Sequence, residues 1–323
     1  ISFQRESVRP DCTGENDVLL PNLRPRHCEL IQTPCGPRKA WAELSVPVKI
    51  YFCFAIVSAL VAFVLTIYSI SLQELTDSPI SIIQAIGIVF CCYYVVRGIF
   101  QENQQELGAF VASVLFVMIR SVVNFAVATP EERADFEIRF WFLIVVGFID
   151  IVCALWLMCS LNMMAFRVSG AYEQSQSLYW MKNLCSSLVT FDLQGQLCLC
   201  VLFLTAGVNR ISTVHYVILG VGIFWAFLKA AIGLRAILKE KKVLAWAFMI
   251  LNVPELVYLC YLLYVVIDKW DCKGSCVLEA GTVTGTVISV GIKVGLFWSV
   301  VKFVRSFEHE LRMVFTSAEG TNT

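Results

Sequence analysis

Six ionisable side chains lie within long apolar stretches of this sequence. A charge at the centre of a bilayer costs about 2.5–3.5 kcal/mol on insertion scales, so such groups are expected to face a protein interior or a wet cavity and to pair. Three are basic and three are acidic, which favours pairing without net charge. The six residues are Arg120, Asp150, Asp192, Lys229, Glu255 and Lys293.

The order of these charges along the chain predicts two ion pairs. Arg120 would pair with Asp150, and Glu255 would pair with Lys293. Each pair would join two neighbouring helices. The base comes first along the chain in the first pair, and the acid comes first in the second pair. The other two charges are secondary candidates: Asp192 and Lys229 could lie nearer the helix ends, where a lysine can extend its ammonium group to the membrane surface.

The stretch FMILNVPELVYLC, residues 248–260, gathers several polar features at membrane depth. It contains Asn252, Pro254 and Glu255. Proline has no N–H, so the carbonyl of Ile250 loses its usual helical partner. The sequence therefore predicts a kinked helix with an amide, a carboxylate and a freed backbone acceptor close together.

The composition identifies the class of protein that holds these charges. The chain has 323 residues, of which 58% are hydrophobic and 15% are charged. Soluble domains have about half apolar and about a quarter charged residues. Together with recurrent apolar runs of bilayer length, this predicts an all-α, polytopic integral membrane helical bundle in contact with the lipid bilayer. The net charge is zero, so no nucleic-acid partner is indicated.

Eight transmembrane helices are predicted from the apolar runs. Pro47 and Pro79 fall at predicted helix starts, where the missing N–H costs little. The third span is diluted by Arg120 and Asn124. The fifth span is diluted by Asp192, Gln194 and Gln196, so these two spans are the least apolar. The spans are 45–70, 78–100, 106–128, 138–165, 187–208, 213–237, 243–267 and 281–304.

The domain organisation follows from these spans. The N-terminal tail is rich in proline and polar residues and is expected to be largely disordered. Most Lys and Arg residues fall on the side of the membrane that holds this tail, so we expect both termini to be cytoplasmic. The sequence does not decide between the plasma membrane and an endomembrane. It also allows the protein to form an oligomer. The predicted parts are a tail 1–44, a first four-helix half 45–165, a linker 166–186, a second four-helix half 187–304 and a C-terminal tail 305–323.

A faint internal repeat relates the two halves. When the chain is shifted by 138 residues, VVRGIFQENQQELGAFVA (95–112) aligns with GLRAILKEKKVLAWAFMI (233–250). The shift makes Arg97 coincide with Arg235 and Phe110 with Phe248. With four spans in each half, the two halves would have the same orientation. This favours a parallel duplication, although chance similarity between helix ends is the alternative.

The cysteines and catalytic motifs offer little chemistry. Cys272 and Cys276 lie in a predicted outside loop, where a disulfide is chemically permitted, with two free thiols as the alternative. No spacing typical of a metal site, a nucleotide site or a hydrolase is present. We therefore expect no enzyme activity, no metal and no cofactor.

Two functions fit these observations. The first is a transporter or channel-like protein with an internal polar path for an ion, a small solute or a lipid, lined or gated by Arg120, Asp150, Glu255 and Lys293. The second is a non-conducting receptor, scaffold or assembly factor, in which the same charges only fix the helix register.

Overall fold

A short β-hairpin precedes the first long helix. It consists of β1 (Leu30–Thr33) and β2 (Gly36–Lys39), which pair antiparallel. A turn of 3₁₀ helix, Trp41–Glu43, leads from the hairpin into the membrane helices. The computed structural model describes residues 30–33, 36–72, 78–127, 130–160, 173–206, 213–239, 241–268 and 276–320.

Eight helices in the described part of the chain are long and apolar enough to cross a membrane. This confirms the predicted all-α membrane bundle with eight transmembrane helices. The helices are α1 (Val46–Leu72), α2 (Ser78–Phe100), α3 (Gln104–Val127), α4 (Pro130–Ser160), α5 (Glu173–Ala206), α6 (Thr213–Leu238), α7 (Lys242–Asp268) and α8 (Cys276–Gly320).

The helices pack as two four-helix bundles. In the first bundle, α1–α4, each helix packs against the next one and α1 closes against α4. In the second bundle, α5–α8, the packing order is the same and α5 closes against α8. Helix α5 also packs against α2 and α3, so it joins the two bundles.

Each bundle has its own apolar core. Tyr94 and Leu107 lie at the centre of the first core, and Phe248 and Leu296 at the centre of the second. The outward faces carry many exposed apolar side chains, Phe224 among them. Such faces suit contact with lipid tails, which are as apolar as the side chains themselves.

Several boundaries differ from those expected from apolar runs. Helix α4 begins at Pro130, before the predicted span, because a proline at the first helical position and acidic residues in the first turn favour a helix start. Helix α5 includes residues 173–186, which we assigned to the linker, and α8 continues through most of the predicted C-terminal tail to Gly320. These extensions are polar and therefore invisible to a search for apolar spans. The hairpin likewise gives regular structure to part of the predicted disordered tail.

The turns that follow α2 and α6 have the same backbone bonds. After α2, Gln101 N donates to Arg97 O at 3.0 Å and Asn103 N donates to Gly98 O at 2.9 Å. Glu102 has a φ of 45°, the left-handed conformation that ends a helix in this type of turn. After α6, the residues 138 positions later make the same two bonds, Lys239 N to Arg235 O at 3.0 Å and Lys241 N to Ala236 O at 3.2 Å. The shift that aligns the sequences therefore also aligns the two turns.

Candidate functional site

Four charged side chains converge inside the second bundle, and each comes from a different helix. Asp192 lies on α5, Lys229 on α6, Glu255 on α7 and Lys293 on α8. We call these four residues the charge cluster. All four positions were among the predicted candidates, and the structure brings them together at one point.

The contacts of the charge cluster form a closed loop of alternating charge. Lys229 Nζ lies 2.6 Å from Asp192 Oδ2 and 2.5 Å from Glu255 Oε2. Lys293 Nζ lies 3.0 Å from Asp192 Oδ1 and 2.6 Å from Glu255 Oε2. Each lysine therefore contacts both carboxylates, and the predicted contact between Glu255 and Lys293 is one side of this loop.

Two amide side chains extend the network. Lys293 Nζ donates to Asn252 Oδ1 at 3.2 Å, so all three of its N–H donors have acceptors. Asn252 Nδ2 in turn donates to the backbone oxygen of Phe248 at 2.8 Å. Gln196 Nε2 donates to Asp192 Oδ2 at 3.0 Å. The amides thus hold one lysine and one carboxylate in place.

Burying the four charged side chains of this cluster costs electrostatic free energy. Lys293 is fully buried, and the side chains of Lys229 and Asp192 are 2% and 3% exposed. Removing an ion from water costs several kcal/mol even after relaxation. The loop offsets this cost because two positive and two negative charges cancel within it. Glu255 differs from the other three members, since 16% of its side chain remains exposed.

Pro254 places a break in helical hydrogen bonding next to Glu255. It lies inside α7, as the sequence predicts. The residue faces outward, whereas Asn252 on the same helix is buried against the cluster. Since proline cannot donate to the carbonyl of Ile250, α7 lacks one backbone hydrogen bond close to Glu255.

The first bundle carries the other two predicted charges, and they do not pair with each other. Asp150 on α4 faces α1, where Ser58 Oγ donates to its Oδ2 at 3.1 Å. Arg120 lies two helical turns from Ser113 on α3, on the face where Ser113 contacts Gln194 of α5. The predicted ion pair between Arg120 and Asp150 is therefore wrong, because the two side chains project towards different helices.

An ion pair that the sequence analysis missed lies where α2, α3 and α5 meet. Arg97 Nη1 is 3.0 Å from Glu106 Oε1, and both side chains are buried. Arg97 Nη2 also donates to Ser186 Oγ of α5 at 2.8 Å. Arg97 aligned with Arg235 in the repeat, but Arg235 is exposed. The sequence showed that Arg97 aligns with Arg235, but neither this alignment nor the presence of Ser186 predicts that these side chains are buried.

A second polar contact between the bundles involves Gln194. Its Oε1 accepts hydrogen bonds from Tyr94 OH of α2 and Ser113 Oγ of α3, both at 3.0 Å. In the sequence, Gln194 only made the fifth span less apolar. The structure shows that this residue and Ser186 form the polar side of α5 that faces the first bundle.

The remaining predicted features concern cysteines and metals. Cys272 lies outside the described residues, so its disulfide with Cys276 stays a prediction. Within the described residues, no group of three or more His, Cys, Asp and Glu side chains is arranged to hold a metal ion.

Comparison with known proteins gives one match. No curated protein and no solved structure matches the chain. The model of a family described as a domain of unknown function (DUF7789) matches residues 35–159 and 169–302. The first segment contains almost all of the first bundle, and the second contains most of the second bundle. The chain, with its eight helices of membrane-spanning length, therefore belongs to this family of unknown function.

Proposed function

We propose that this multi-pass membrane protein is transporter-like and that the charge cluster is the gate of an internal polar path. The transported species would be an ion, a small solute or a lipid. Intramembrane ionisable residues commonly mark such paths.

The main support for this proposal is that two lysine side chains share one carboxylate oxygen of Glu255. Glu255 Oε2 accepts a hydrogen bond from Lys229 and another from Lys293. If either lysine moved away, Glu255 would keep one partner, and so would Asp192. The cluster can therefore open on one side without leaving a carboxylate wholly unpaired. Glu255 is also the partly exposed member and lies beside Pro254, where α7 lacks a helical bond.

A second candidate is a non-conducting membrane protein in which the cluster only fixes helix register. A specific observation favours it: three of the four members are almost fully buried, and every contact in the loop is 3.0 Å or shorter. The cavity between the four helices of the first bundle does not reach the cluster, since no member of the cluster lines it. Buried ion pairs of this kind are found in proteins that transport nothing.

Flux measurements on purified protein in liposomes separate the two functions. Ion and lipid flux would be compared for the unchanged chain, Glu255→Gln, and Glu137→Gln as a matched control on an exposed residue of α4. The transporter-like function predicts flux that Glu255→Gln changes and Glu137→Gln does not. If no flux is found and Glu255→Gln only lowers the yield of folded protein, the transport proposal fails and the structural role stands.

We also infer that the two bundles arose by duplication of a four-helix unit in a parallel arrangement. Three observations support this inference. The 138-residue shift aligns the two sequence stretches, it aligns the backbone bonds of the two turns, and the family model matches one segment in each half. In many transporters the path lies at the interface between such repeats, and here α5 lies at that interface.

A further inference from the structure

A partly open cavity of about 60 Å³ lies between the four helices of the first bundle. Residues from all four helices line it, including Ala59 of α1, Ile88 of α2, Met118 of α3 and Gly147 of α4. The side of α1 that faces the cavity carries small residues in consecutive turns, and these leave the space unfilled. They are Ala55, Ser58, Ala59 and Ala62.

Asp150 lies in the wall of this cavity with one carboxylate oxygen unsatisfied. The residue is 6% exposed. Its Oδ2 accepts from Ser58 Oγ, but its Oδ1 is buried and has no hydrogen-bond partner among the described residues. The nearby Tyr51 hydroxyl donates to the backbone oxygen of Asp150 instead, at 3.5 Å. A buried acceptor without a donor costs about 1–3 kcal/mol, and more when it is charged.

The chemistry of the wall limits what could satisfy this oxygen. A dehydrated inorganic cation such as Ca²⁺ takes about six to eight oxygen ligands. Among the described residues that line the cavity, only Asp150 and Ser58 carry side-chain oxygens, and the other lining side chains are apolar apart from the Cys91 thiol. An organic cation with N–H donors at one end and an apolar group at the other fits this wall better. Phe110 and Phe142 also line the cavity, and aromatic faces attract cations.

We propose that this cavity binds a small primary ammonium ion. One N–H donates to Asp150 Oδ1, and the alkyl group packs against the apolar side chains of α1 and α3. An engineered cavity of about 150 Å³ holds benzene, so a cavity of about 60 Å³ takes an ion of only a few heavy atoms, such as methylammonium. This site lies in the other bundle from the charge cluster, and ligand binding there does not depend on the proposed transport.

Equilibrium binding of radiolabelled methylammonium to the full chain tests the site. The protein would be reconstituted in phosphatidylcholine nanodiscs at neutral pH, because this lipid has no primary ammonium group that could compete. Asp150→Asn removes the charge at nearly constant size. Ala59→Leu keeps the carboxylate but fills the cavity, and Glu137→Gln is the exposed control on the same helix as Asp150.

We expect saturable binding to the unchanged chain and to Glu137→Gln. Asp150→Asn should weaken binding about 30-fold or more, as truncation of a buried charge pair does, and Ala59→Leu should weaken it at least about 10-fold because the space is taken. Sodium, which lacks N–H groups, and tetramethylammonium, which lacks N–H groups and exceeds the cavity, should not compete.

Three results would overturn the proposal: no saturable binding to the folded unchanged chain, equal binding by Asp150→Asn, or equal competition by sodium. Helical circular dichroism and a single size-exclusion peak establish that each variant is folded. If Ala59→Leu does not fold, the comparison of Asp150→Asn with Glu137→Gln decides the question.

Discussion

Replacing Lys293 with methionine should strongly destabilise the second bundle. Lys293 is fully buried and donates to three acceptors. Lys293→Met has a similar length but leaves Asp192 and Glu255 with only Lys229 between them, so the buried cluster carries one uncompensated negative charge. Breaking a buried pair in this way costs about 3–5 kcal/mol, and we expect a loss of that size in the free energy of unfolding.

The double variant Lys293→Met with Glu255→Gln tests the electrostatic origin of this loss. It leaves Lys229 and Asp192, which are 2.6 Å apart, as a neutral pair. The single change Glu255→Gln leaves the cluster with one excess positive charge. Because the double variant restores neutrality, its loss should be smaller than the sum of the two single losses by about 1–3 kcal/mol.

The assay is reversible unfolding of purified protein in mixed micelles with increasing denaturing detergent, followed by helical circular dichroism. Lys302→Met is the matched control, because Lys302 lies on the same helix, is exposed, and has its ammonium 5.0 Å from the ring centre of Trp298. This control should change stability by less than about 1 kcal/mol. Equal losses for Lys293→Met and Lys302→Met, or additive losses in the double variant, would refute the reasoning.

Three further outcomes are expected. Arg97→Met should cost about 3 kcal/mol in the same unfolding assay because it breaks a buried ion pair, whereas Arg235→Met, at the aligned exposed position, should stay within about 0.5 kcal/mol; similar losses would contradict the assigned burial. Gly233→Ala should cost about 1–3 kcal/mol because its new Cβ would lie 2.7 Å from the buried ring of Phe248, whereas Gly220→Ala meets no atom within 4 Å and should be neutral or mildly stabilising by up to about 1 kcal/mol. Glycosylation-acceptor tags fused to either terminus should stay unmodified in cells if both termini are cytoplasmic, and modification of either tag would overturn that orientation.

The spans were readable from the sequence because bilayer thickness imposes a minimum length of apolar helix. The boundaries were less readable where a helix leaves the membrane. The first turns of α4 and α5 and the last part of α8 are polar, so hydropathy does not reveal them. Residues 173–186 and 305–319 contain no proline or glycine, so the sequence has no residue there that would end a helix.

Only part of the contacts among the buried charges could be predicted from the sequence. Charge balance and neighbouring helices suggested the contact between Glu255 and Lys293, but the same reasoning paired Arg120 with Asp150. Charge balance does not specify the direction in which a helix turns each side chain, and that direction depends on how the whole bundle packs. Asp150 and Ser58 meet because α1 closes against α4, a contact between helices far apart in the sequence.

The position of helix α5 between the two bundles links their movements. Gln194 and Asp192 are two residues apart, so they project from nearly opposite sides of this helix; one contacts α2 and α3, and the other contacts the lysines of α6 and α8. A rotation of α5 about its own axis would break both sets of bonds at once. A rotation of α5 that changes its contacts with one bundle therefore also changes its contacts with the other bundle.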